Sequence, residues 1–99
     1  MTKVNATVKA GKYSLECRGH ADTVEVCSAI SALCYTLAGC LINNANVRDL
    51  SYDLTPGRAN ITYSASDIRA DEEFRVCLIG LLQIRNSHPK EIIIVQNVF

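Results

Sequence analysis

The sequence predicts an α+β domain: a two-layer sandwich in ββαββαβ order, with two helices on one face of a mixed or antiparallel sheet. Three observations carry that reading. Four segments alternate apolar and polar residues with the period of half-buried strands. Two longer segments repeat apolar residues at helical spacing. Each alternating strand keeps one polar face, so the helices have only one side of the sheet to cover. The chain has 99 residues, enough for a single domain, 1–99, with one hydrophobic core.

Val4, Ala6, Val8 and Ala10 alternate with Lys3, Asn5, Thr7 and Lys9 in the first strand. Gly11-Lys12 turns the chain into a second strand, in which Tyr13, Leu15 and Cys17 point one way and Ser14, Glu16 and Arg18 the other. The first helix is expected to start at Asp22 as cap, with Glu25 completing a capping-box-like pattern. Val26, Ile30, Leu33, Leu37 and Leu41 form its core stripe, and Asn43-Asn44 ends it. A second hairpin follows: Leu50, Tyr52 and Leu54, then Ala59, Ile61 and Tyr63, joined by Thr55-Pro56-Gly57. Proline presets φ in such a turn and glycine accepts a positive φ. The second helix begins near Ser66 or Asp67 and carries acidic Asp71, Glu72 and Glu73 early, where the helix dipole favours them. It turns Phe74, Cys77, Leu78, Leu81 and Ile84 inward and stops before His88-Pro89. The last segment, Ile92 to Val95, is apolar without alternation, which predicts a strand covered on both faces. In a two-layer domain the second cover comes from another subunit, so a homodimer is expected.

Ten Lys and Arg balance ten Asp and Glu, a charge pattern that gives nucleic acid or an anionic membrane no hold. The longest apolar run, Val76 to Leu82, is too short to cross a bilayer, and the first residues lack the apolar stretch of a secretory signal. These features predict a cytoplasmic protein with neither nucleic acid nor membrane as partner. The five cysteines include no C-x-x-C pair, and the two histidines lie far apart. No metal site and no cofactor are expected, and free thiols fit a reducing compartment.

The chemistry concentrates at Gly19-His20-Ala21 and, after a short gap, Cys27-Ser-Ala-Ile-Ser31. His20 leaves the second strand just where the chain must turn into the first helix, and Cys27 sits near that helix's start. A cysteine becomes a nucleophile when a base is within reach and the local field favours the thiolate. A helix N-terminus contributes only roughly 0.3–1 kcal/mol to a nearby anion, so the imidazole must supply the rest. Ser31, Cys34 and Ala38 extend a small, partly polar flank from Cys27, fit either to line a groove or to let the helix pack closely. Developing charge on a substrate carbonyl would be met by the free N–H groups of Thr23, Val24 and Glu25. Cys34 and Cys40 are expected to be inert, and His88 to end the second helix.

The Gly-His-Ala string followed by Val26-Cys27-Ser-Ala-Ile-Ser31-Ala-Leu33 resembles the ribosomal-processing cysteine protease family. Gly80-Leu81-Leu82-Gln83-Ile84, then His88-Pro89 and Ile92, is similar to that family's Gly-Leu-x-x-Ile helix ending before Tyr-Pro. The resemblance implies a small bacterial homodimer. It also implies a Cys–His dyad that removes the N-terminal extension of a large-subunit ribosomal protein precursor, cutting after an aromatic residue. On it, Cys27 is the nucleophile, His20 the base, Ser31 a polar position one turn beyond the nucleophile, and Gly19 a residue that gives the backbone room near the substrate. The chain departs from the pattern between the dyad members. Only six residues separate His20 from Cys27, where the family carries a longer glycine-containing loop, and the acidic position three before the cysteine holds Val24. Asp22 and Glu25 are the nearest acids left to orient His20. The alternative is a non-catalytic module of the same fold that binds a peptide or ribosomal protein. A redox role would need a partner thiol for Cys27, and Cys34 lies two helical turns away, roughly 10 Å by rise.

Overall fold

The computed structural model describes residues 1–98, in the order β1 (Thr2–Lys9), β2 (Lys12–Arg18), α1 (Val24–Ile42), β3 (Arg48–Thr55), β4 (Arg58–Ser64), α2 (Ile68–Ser87) and β5 (Ile92–Asn97). The five strands form one sheet in the order β3-β4-β2-β1-β5. β1 runs parallel to β5, and the other neighbours are antiparallel, so the sheet is mixed. The expected ββαββαβ sandwich is the observed one.

Alternation in sequence becomes alternation in burial. Val4 and Ala6 of β1, Tyr13, Leu15 and Cys17 of β2, and Ile61 and Tyr63 of β4 are buried under the helices. Leu37 and Leu41 of α1 meet Phe74, Leu78 and Leu81 of α2 in the same core. Register explains why these strands agree: Cys17 pairs with Val4 on one side and Ala59 on the other, so inward residues line up across three strands.

Three expectations need correction. Thr23, not Asp22, caps α1: its hydroxyl accepts from the Val26 N–H, and Glu25 closes no capping box. The buried stripe of α1 is rotated, taking in Cys34 and Ala38 while Leu33 turns partly toward α2. There Gly80 makes room for it, since a Cβ at that position would come within 2.8 Å of Leu33 Cδ2. Tyr52 keeps the inward register opposite Ile61, but it is half exposed because β3 lies at the sheet edge. β5 is the other edge strand, and within this chain only one of its faces is covered: Ile92 is buried, whereas Ile93 and Val95 are exposed. α1 is long and apolar enough to cross a membrane by length and composition, although its buried stripe packs in the core described above.

Candidate active site

The loop from Gly19 to Thr23 joins β2 to α1, and neighbouring backbone pins it on both sides. Gly19, at φ +90°, donates its N–H to Gly57 O at 2.9 Å and accepts from the Thr2 hydroxyl at 3.3 Å. A Cβ at Gly19 would lie 2.5 Å from Met1 O, so the close approach here is to the protein's own first residue. The Met1 nitrogen donates to His20 O at 2.8 Å.

Thr23 ends the loop and is tied to the far end of the chain. Its N–H and hydroxyl both donate to Glu91 Oε1, at 2.8 and 3.0 Å. Glu91 is buried just before β5. A buried carboxylate needs such partners, and these two fix the first turn of α1 and the residue four positions beyond. The Cys27 N–H bonds to Thr23 O at 3.2 Å.

The Cys27 sulfur is half-buried at the mouth of this loop. It accepts the Ala21 N–H at 3.2 Å, and its thiol faces Ala21 O at 3.5 Å. The His20 imidazole lies against the β3–β4 turn: a Cβ at Gly57, where φ is +75°, would collide with the ring, 2.8 Å from Cε1. His20 and Cys27 thus share one site without a hydrogen bond between them. Among the described residues, no carboxylate bonds His20. Asp22 instead sits 3.8 Å from the Met1 nitrogen.

The shared site is a cleft of about 180 Å³ between α1 and the second hairpin. Cys27, Ser31 and Tyr35 line it from the helix, and Leu54 to Ala59 line it from the hairpin. Gly19 and His20 close one end, and Cys17 and Cys34 lie at its deep side. Tyr35 reaches across to donate to Leu54 O at 3.4 Å.

Of the residues singled out in the sequence, Gly19, His20, Cys27 and Ser31 come together here, whereas Ala21, Asp22, Thr23, Val24 and Glu25 do not line the cleft. The Thr23 N–H, expected to face developing charge, is committed to Glu91. The donor nearest the sulfur is Ala21 N–H, which belongs to the loop and not to the helix. Cys34 continues the flank from Cys27 into the buried side of the cleft, with its sulfur 3.8 Å from that of Cys17. Sequence reasoning missed Gly57, Tyr35 and Glu91. The Thr-Pro-Gly turn was the available signal for the first, and nothing local marked the other two. Burial pushes the Cys77 thiol up to about 12, and Cys77 does not line the cleft.

No family model and no curated protein matches the chain. Solved structures do. An essential ribosomal processing protease, Prp, from S. aureus in complex with a covalently linked product peptide superposes with a TM-score of 0.79 at 26% identity, covering 98% of this chain and 100% of that one. The S. aureus protease with a substrate peptide gives 0.74 at 25% identity, with the same coverage. SMU.848 from Streptococcus mutans shares the fold at a TM-score of 0.74 and 22% identity, covering 98% and 99%. With Gly19, His20 and Cys27 lining one cleft of the shared fold, the chain resembles the Prp ribosomal processing protease over 98% of its length.

Proposed function

We propose that this protein is a cysteine endopeptidase that removes the N-terminal extension of a large-subunit ribosomal protein precursor. One observation carries the reading: the Cys27 sulfur and the His20 imidazole open onto the same cleft, in the fold of a protease that holds a covalently linked product peptide. Such a link fits a mechanism that passes through a bond to the enzyme.

In that mechanism His20 takes the Cys27 proton as the sulfur turns from Ala21 into the cleft. The sulfur attacks the scissile carbonyl carbon, and negative charge collects on its oxygen. Collapse expels the amine, to which His20 returns the proton, leaving a thioester. Water, deprotonated by His20, hydrolyses it and frees the thiol. Ala21 N–H, once released by the sulfur, is the nearest donor for the oxyanion. Gly19 and Ser31 border the substrate path. The protein works without cofactor or metal, in the cytoplasm of a bacterium. It acts as a homodimer in which a partner subunit covers Ile93 and Val95.

The test is digestion of a large-subunit ribosomal protein precursor carrying its extension, with the products weighed. Wild type is expected to release the extension, and Cys27→Ala and His20→Ala to release none. An uncut precursor with wild type, or equal cutting by Cys27→Ala, contradicts the proposal. A second reading, a peptide-binding module without catalysis, draws on the His20 ring resting on Gly57 without a bond to Cys27. It predicts that Cys27→Ala and wild type bind the extension peptide equally and that neither cuts it.

A further inference from the structure

We infer that Cys17 and Cys34 form a redox modification site at the deep side of the cleft, closing to a disulfide when a small peroxide reaches them. The two sulfurs are in contact at 3.8 Å, one on β2 and the other on α1. The side chains are only 4% and 2% exposed, yet both line the cleft that holds Cys27, whereas Cys40 and Cys77 do not. A small oxidant entering there meets two thiols already side by side. Neither takes part in the proteolytic steps proposed above, and the inference stands whether or not the cleft cuts a peptide. The contact with Cys17 lowers the Cys34 thiol against the burial that raises it, while the same contact and burial raise Cys17.

The Cys34 sulfur attacks one peroxide oxygen and the O–O bond breaks. The sulfur becomes a sulfenic acid, and the departing hydroxide leaves as water with the thiol proton. Cys17 then attacks the sulfenic sulfur. The S–S bond forms, the S–O bond breaks, and a second water leaves with the Cys17 proton. Two electrons pass from the thiols to the peroxide. A disulfide holds its sulfurs at about 2.05 Å, so α1 must settle toward β2. The sheet neighbours of Cys17, Val4 and Ala59, are not bulky, and the movement narrows the cleft beside Cys27.

The experiment uses the full chain carrying Cys27→Ser, reduced, treated with hydrogen peroxide, denatured and labelled with a maleimide. The expected product is lighter by two hydrogens, lacks label at Cys17 and Cys34, and yields a fragment joining the two. Cys17→Ala and Cys34→Ala each abolish it. In oxidised wild type, Cys27 alkylation slows several-fold and dithiothreitol restores it. Full labelling of Cys17 and Cys34, oxygen adducts in place of the bond, or a bridge through Cys40 or Cys77 overturns the inference, as does unchanged Cys27 alkylation in the bridged protein. Mapping of the Cys27→Ser and wild-type chains decides the matter even where an alanine variant fails to fold.

Discussion

The His20 ring and the Gly57 backbone touch so closely that the residue at 57 sets where the imidazole can stand. Alanine there meets two penalties. Its Cβ collides with the ring, and a positive φ costs a non-glycine residue about 1 kcal/mol or more. Gly57→Ala is therefore expected to lower precursor cleavage and Cys27 alkylation far more than it lowers stability in urea. A loss of activity no larger than the loss of folded fraction would remove Gly57 from this role. The pair His20 and Cys27 was legible in the sequence because both lie within one short segment. The partners that hold them were not, since Gly57 and Glu91 reach the loop only through sheet topology. The capping error at Asp22 has the same origin. Asp22 and Thr23 are both good caps by type, and the distant Glu91 decides between them by binding Thr23.

At the scale of elements, α1 is positioned from both ends of its first turn. Removing the Glu91 carboxylate takes away two charge-assisted hydrogen bonds from the Thr23 N–H and hydroxyl, a loss of about 1.5–3 kcal/mol. Glu91→Ala should lower the urea midpoint, with Glu91→Gln recovering part of the loss because an amide oxygen still accepts. Equal midpoints for both variants and wild type would show the contact to be idle. In α2, Arg75 and then the Tyr13 hydroxyl bond Asp71, at 2.7 and 2.8 Å, and hold its carboxyl below the ordinary carboxylate range. A carboxyl depressed in the folded state stabilises fully above its unfolded pKa and loses that contribution as pH falls through the folded one. Acid unfolding of Asp71→Asn is thus expected to show a shallower dependence on pH than wild type below the carboxylate range, read from urea midpoints across pH. Burial, and then the same contact, raise the Tyr13 phenol to about 12. Helical periodicity located α1 and α2 but misjudged the rotation of α1. Cysteine and alanine at 34 and 38 read as a small flank fit for a groove or for close packing, and the structure buries both, with Cys34 against Cys17 of β2.

For the whole molecule, strand alternation was enough to place four strands and the single helical layer, because each inward residue also pairs with inward residues in the next strand. The unbroken run Ile92–Val95 was legible as a strand with one face left uncovered by this chain, but its place at the sheet edge was not, since strand order decides which strands become edges. Ile93 and Val95 remain 45% and 54% exposed on an otherwise polar outer face. A homodimer covering them predicts a sedimentation mass of two chains at micromolar concentration, reduced to one by Ile93→Glu with the helical signal unchanged. A single-chain mass for wild type would remove the partner subunit from the account.

The most direct measurement is the rate at which Cys27 is alkylated at neutral pH in wild type and in His20→Ala, with half-buried Cys40 as reference in the same molecules. An imidazole that activates the sulfur predicts that Cys27 reacts well ahead of Cys40 in wild type and loses that lead in His20→Ala, with Cys40 unchanged. Equal rates at the two cysteines, indifferent to His20, would contradict it.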